Sequence, residues 1–157
     1  MRIFIPLLAF VVFLGGCSST KVASSNQSKA VAVEDTARFD SALLYGKTWS
    51  MVKIESGDKS IDVPTDVVAT LVFDKKTSRI HGRCCNSYFG AFVLAGNVLT
   101  FDKMGATKML CMGLIGDIES LYHSLLAAPQ IATVDESMLI LKSDKGTVTF
   151  RANKEAE

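Results

Sequence analysis

The chemistry this sequence can offer is concentrated in its cysteines: Cys17, the adjacent pair Cys84 and Cys85, and Cys111. In an oxidising compartment a small domain uses such residues first for structural disulfides. Adjacent cysteines seldom bond to each other because the ring they close is strained, so one thiol of the last three stays free. A sharper reading is metal binding. His81, Cys84, Cys85 and Cys111 offer imidazole and thiolate ligands, and Met104, Met109 and Met112 flank Cys111 with thioethers, a soft set suited to Cu(I). Methionine is equally a filler of irregular cores, and no doubled CxxC or HxxxH spacing supports a bound ion. No metal and no cofactor are expected. Cys84 or Cys85 with His81 or His123 would make a nucleophile and base, yet nothing in the sequence orients the imidazole or marks an oxyanion hole. There is no GxSxG, phosphate loop or paired-carboxylate motif. The acids Glu34, Asp35, Asp40, Glu55, Asp58, Asp62 and Asp66 fall in tether, loop or turn contexts and read as solvating. The chain is expected not to be an enzyme.

Cys17 stands in a different context. It follows Leu14, Gly15 and Gly16, behind Arg2 and an uncharged apolar run over residues 3–14. That run suits a signal-peptide core and is shorter than the roughly 20 residues a membrane-spanning helix requires. The segment resembles bacterial lipoprotein signals, in which cleavage leaves the cysteine as the first residue, carrying fatty chains of the palmitate type. Two such chains hold a protein stably at a membrane. Ser18 in the next position favours export to the outer membrane by the enterobacterial sorting rule. The expected address is therefore the cell envelope, lipid-anchored to the outer membrane and facing the periplasm. Residues 1–16 read as the signal peptide, and 17–43 as the lipidated cysteine and a flexible tether rich in Ser, Ala, Lys, Asn and Gln. Residues 44–152 read as one folded domain. With 17 basic and 16 acidic side chains there is no basic field for nucleic acid.

The domain must position whatever acts. Short apolar or alternating runs predict strands over 49–54, 69–73, 79–84, 89–94, 98–101, 131–134, 138–141 and 148–151. Gly96-Asn97 and Asp144-Lys145-Gly146 read as hairpin turns. Residues 138–141 are apolar on both faces and predict a central strand. One segment has the other period: Ile118, Leu121, Tyr122, Leu125 and Leu126 form a helical stripe over about 117–128, with Asp117 as N-cap and Pro129 as terminator. Glu119, Ser120, His123 and Ser124 then take the solvent face. A further helical turn is expected within 36–44. The fold class is α+β: a mostly antiparallel, curved or barrel-like sheet with one packed helix.

The run Gly82-Arg83-Cys84-Cys85-Asn86-Ser87-Tyr88-Phe89-Gly90, followed by Ala106-Thr107-Lys108-Met109-Leu110-Cys111, resembles the META domain of HslJ-type lipoproteins. A Glu119-x-x-Tyr122-x-x-x-Leu126 helix and a Leu44-x-Gly46-x-x-Trp49 lead-in extend the resemblance over about 44–151. Cys84 departs from the motif, standing where the family usually has a small residue. The family motif implies a Cys85–Cys111 disulfide. The residues leave alternatives open, since alternation from Ile80 puts Cys84 on the core face and Cys85 opposite; a bend at Cys85-Asn86 would reconcile the two. A Cys84–Cys111 bond, or none, is the other outcome. The resemblance carries no established activity or substrate, and links the family to heat shock and antibiotic resistance.

Asn86, Tyr88, Phe89 and Gly90 form the most unusual local cluster. Read structurally, Asn86 bonds backbone in a turn, Tyr88 or Phe89 packs on Trp49, and Gly90 permits a bend. Read functionally, they make an aromatic contact surface shared with Thr107 and Met109. The expected role is binding, to an envelope protein or ligand, in support of tolerance to heat or antibiotics. An inhibitor of lysozyme or protease is the alternative, and copper or thiol-redox binding a third.

Overall fold

A computed structural model describes residues 39–153; the expected signal peptide, Cys17 and nearly all of the tether lie outside the described residues. Nine strands follow in chain order: β1 (Thr48–Ser56), β2 (Lys59–Asp62), β3 (Ala69–Asp74), β4 (Arg79–Cys84), β5 (Asn86–Ala95), β6 (Val98–Ala106), β7 (Gln130–Val134), β8 (Met138–Ser143) and β9 (Gly146–Ala152). One helix, α1 (Leu114–Leu126), stands between β6 and β7. Every strand pairing is antiparallel. From β3 to β9 each strand pairs with the next, and β1 pairs with both β3 and β9, so eight strands close into a barrel. Closure removes the unpaired sheet edges that would otherwise invite association. β2 stands apart from the ring, pairing only with residues 53–56 of β1.

Alternation sends one face of each strand inward. Leu71, Phe73, Leu99, Leu139, Leu141, Val148 and Phe150 fill the interior on the period of two. β1 breaks that period: Trp49, Met51 and Ile54 all point in, because a bulge against β9 between Met51 and Lys53 resets the parity.

Several boundaries differ from the sequence expectation, each for a physical reason. β2 was not foreseen because Ile61 is its one apolar residue and it forms an exposed ribbon. β5 begins at Asn86 and β6 runs on to Ala106, where glycines and polar residues hide the alternation. The 138–141 run is not apolar-buried on both faces: Leu139 and Leu141 point in, while Ile140 lies on the outside, 36% exposed, because a closed single-layer barrel covers only one face. Asp117 is not the N-cap. Gly113, with φ of 67°, is, and its carbonyl accepts from the N–H of Gly116 and Asp117, so Asp117 falls in the first turn where its charge meets the helix dipole. The helix ends at Leu126, short of 128, and the Gln130 side chain donates to the carbonyls of Leu125 and Ala128 at 2.6 and 2.9 Å. The turn expected within 36–44 is a short 3-10 turn over Ser41–Leu44, whose final carbonyl accepts from Trp49 Nε1 at 3.1 Å.

The strand directions sort the loops into two ends. One end holds the start of β1, the β3–β4 turn, the Gly96-Asn97 turn and the last residue of β9; the described chain enters there. The opposite end holds the β4–β5 tip at Cys85, the loop 107–113 and the helix. Tyr122 of the helix touches Tyr88 of β5 and Phe150 of β9, strands on opposite sides of the ring, so α1 lies across the mouth at that end.

Candidate functional site

The β4–β5 hairpin pairs up to Cys84↔Asn86, leaving Cys85 alone at its tip with φ of 56°. A left-handed residue that is not glycine is unusual, and this one turns its side chain out of the strand alternation. Cys84 and Asn86 therefore both face inward, while Cys85 reaches the loop ahead of α1. There Cys85 and Cys111 form a disulfide, with Cα atoms 6.3 Å apart. Cys84 stays free and fully buried. Burial, with the nearby Glu119 charge, pushes its thiol up to about 12, so it is inert at neutral pH.

Asn86 organises the ground between the disulfide and the helix. Its Oδ1 accepts from Met109 N at 2.7 Å and from Thr107 Oγ1 at 2.8 Å. Its Nδ2 donates to Glu119 Oε2 at 2.9 Å, to Cys111 Sγ at 3.1 Å and to the Met109 carbonyl at 3.2 Å. Its backbone N–H goes to Glu119 Oε1 at 2.8 Å. Thr107 adds two bonds to Ser87: its N–H to the Ser87 carbonyl, and its hydroxyl accepting from Ser87 N. One buried amide thus fixes the whole loop, and the disulfide fixes it a second time.

Glu119 is the residue the sequence reading placed wrongly. It is half-buried and bonded, not on the solvent face. The signal was there: at about 100° per residue, Glu119 falls beside Leu126 at the border of the apolar stripe. His123, one turn on, is likewise half-buried, against the rings of Tyr88 and Tyr122.

The motif cluster divides. Tyr88 does not pack on Trp49 and is no part of a contact surface; it is 2% exposed and stacks edge-on with Tyr122, ring centroids 5.5 Å apart. Its hydroxyl donates to the Thr70 carbonyl at 2.6 Å, so the hydroxyl proton between the tyrosines, 2.9 Å apart, belongs to Tyr122. Desolvation holds both phenols above their ordinary range. Gly82 is required here, because a Cβ would collide with the Thr70 carbonyl and lie 2.6 Å from Tyr88 Oη. Phe89 lies on the outer wall, its ring covering Gly105 on β6 with the Arg79 guanidinium 5.8 Å away. Gly90 is buried at the bulge between Phe89 and Ala91, leaving room for the Met104 side chain. Of the expected contact residues, the structure brings together Asn86, Thr107 and Met109. His81 is exposed and lines a groove near the opposite end with Lys47 and Asp74, so it does not converge with buried Cys84.

An open cavity of about 500 Å³ lies where these parts meet, lined by Asn86, Thr107, Lys108, Met109, Leu110, Glu119 and His123 among others. The loop above it is apolar and bare: Leu110 is 87% exposed, Met112 74% and Met109 56%. These side chains form an exposed apolar patch on a backbone that the disulfide and Asn86 both fix.

The META domain family model matches residues 42–155. Among solved structures, the NMR structure of a protein from Burkholderia xenovorans is 25% identical, covering 85% of this chain and 100% of its own, with a TM-score of 0.62. A crystal structure of a DUF4847 family protein from Bacteroides vulgatus ATCC 8482 shares the fold at 16% identity, covering 73% of this chain and 98% of its own, with a TM-score of 0.53. Among curated proteins there is no match.

Proposed function

The chain belongs to the META domain family, and from that premise we propose that it is a lipid-anchored binding module of the cell envelope, acting by contact and not by catalysis. One observation carries the reading: the exposed Leu110 and Met112 sit on a loop locked by the Cys85–Cys111 disulfide and by Asn86, beside an open cavity. That loop stands at the barrel end opposite to the one where the described chain begins. The exposed loop is the surface that would engage an envelope protein or ligand. We infer that this contact supports tolerance to heat or antibiotics.

Photocrosslinking in living cells tests it. A crosslinking residue at Leu110 is expected to capture one discrete envelope partner; at Val93, also exposed (65%) but on a strand of the wall, it captures none. Equal capture at both sites, or at neither, overturns the proposal. Palmitate labelling that is lost in Cys17→Ser tests the anchor separately.

The same projecting, disulfide-fixed loop favours a second reading, inhibition of a lysozyme or protease by insertion into its cleft. An inhibition assay with the purified protein separates the two: a simple binding module leaves both enzyme classes untouched.

A further inference from the structure

We propose that Cys85, Cys111 and Glu119 form a binding site for a divalent cation of the zinc class when the Cys85–Cys111 bond is reduced. The inference is independent of the partner-binding role. Three observations support it. The two sulfurs and a Glu119 carboxylate oxygen lie within 4.8 Å of one another, brought there by three separate pieces of chain: the hairpin tip, the loop 107–113 and α1. Next, a single donor group already bridges this set, since Asn86 Nδ2 reaches Cys111 Sγ at 3.1 Å and Glu119 Oε2 at 2.9 Å. That is the kind of outer-shell hydrogen bonding that orients metal ligands. Finally, Cys85, Cys111 and Glu119 are each half-buried, and Glu119 lines the open cavity, so an ion has a way in and a fourth position open to water. Two thiolates and a carboxylate with one open position suit zinc, at about 2.3 Å to sulfur and about 2.0–2.2 Å to oxygen.

The disulfide and the metal exclude each other. A dithiol reductant supplies two electrons and two protons, breaks the S–S bond and closes to its own disulfide, leaving Cys85 and Cys111 as thiols. The cation then takes both sulfurs as thiolates and releases the two protons to solvent. Tetrahedral bonding holds the sulfurs about 3.8 Å apart at these bond lengths. Side-chain rotation supplies that opening, because the Cα atoms are already 6.3 Å apart. Either link ties the hairpin tip to the loop, so the apolar loop stays fixed in both redox states.

The sequence offered a different donor set, His81 and Cys84 beside Cys85 and Cys111, with no spacing that supports a bound ion. The structure leaves exposed His81 and buried Cys84 out of the cluster and brings Glu119 to Cys85 and Cys111.

Cobalt titration tests the site, using the full chain with Cys17→Ser so that the N-terminal thiol takes no part. The reduced protein is expected to bind one Co²⁺ with the sulfur-to-metal absorption and visible bands of a tetrahedral site, and Zn²⁺ to displace it. The oxidised protein shows neither. Cys84→Ala leaves binding unchanged, and Glu119→Gln weakens it by about tenfold or more. Circular dichroism reports the fold of every sample. The proposal is overturned if the folded, reduced protein binds no Co²⁺, if Cys85→Ser/Cys111→Ser binds as well as the parent, or if Glu119→Gln has no effect. Loss of binding in Cys84→Ala overturns it too, as does loss of fold on reduction, because the site would then have no scaffold.

Discussion

Glu119 grips Asn86 from both sides of its peptide: Oε1 takes the backbone N–H at 2.8 Å and Oε2 takes the side-chain amide at 2.9 Å. Helix and hairpin tip are joined through that pair, and the loop 107–113 hangs from the remaining valences of the same amide. The consequences can be ranked by what each substitution leaves unpaired.

Asn86→Asp removes two donors and faces Glu119 with a second carboxylate. Like charges at this distance in a half-buried site, with bonds lost to Met109 and Glu119, are expected to cost about 2–4 kcal/mol. Urea unfolding gives the value. A loss under about 0.5 kcal/mol would mean that Asn86 does not organise the site.

The two buried tyrosines are not equivalent. Tyr122→Phe removes the donor to Tyr88 and leaves the Tyr88–Thr70 bond in place, an expected cost of about 1 kcal/mol. Tyr88→Phe strands the Tyr122 hydroxyl and the Thr70 carbonyl together, and costs about 2–3 kcal/mol. Thermal unfolding of both variants checks the order, and the reverse order would contradict the assigned proton direction.

Gly82→Ala puts a methyl group against the Thr70 carbonyl and the Tyr88 hydroxyl. Backbone cannot yield there without parting β3 from β4, so a loss of about 3 kcal/mol or more is expected. Gly96→Ala, at a turn with open space around it but φ of 62°, carries only the conformational penalty, about 1 kcal/mol.

Removing the disulfide by Cys111→Ser opens a loop whose ends lie 26 positions apart and is expected to cost about 3–4 kcal/mol. Comparison of melting temperatures with and without reductant measures the same quantity in the parent. Cys84 is expected to resist alkylation in the native protein and to react only on unfolding.

Alkali is the condition that discriminates against this core. Cys84, Tyr88 and Tyr122 hold their protons more tightly folded than unfolded. Above the ordinary thiol value of 9.0 the unfolded chain sheds protons that the folded chain retains, so stability is full below that pH and falls as pH rises. Cys84→Ala is expected to remove the decline between 9.0 and 10.0 and to reduce its slope from there to about 12, where the tyrosine contribution, which starts at their ordinary value of 10.0, remains. Chemical denaturation at stepped pH checks this, and a decline unchanged in Cys84→Ala would contradict it.

Much of this architecture was legible in the sequence because strand alternation is a local signal: Val148 and Phe150 point inward as their spacing requires. The same local rule failed where tertiary contacts decide. Glu119 looked solvated because its partner, Asn86, lies 33 positions away on a different element. The expectation that Tyr88 or Phe89 packs on Trp49 misses the actual partner of Tyr88, because nothing local says that a helix will lie over the barrel mouth and bring Tyr122 to it. The parity conflict between Cys84 and Cys85 was visible, and so was its resolution by a bend. The left-handed φ of Cys85 could not be read from residue type, since cysteine rarely adopts it.

The central claim is that the loop fixed by Cys111 and Asn86 is the working surface. Affinity capture from solubilised envelopes with the full chain tests it, comparing the parent, the double variant Leu110→Asp/Met112→Asp and the control Val93→Asp, all checked for unchanged thermal stability. The account expects the parent and Val93→Asp to retain one common partner and the double variant to lose it. Retention by all three would contradict it, as would loss in the Val93→Asp control.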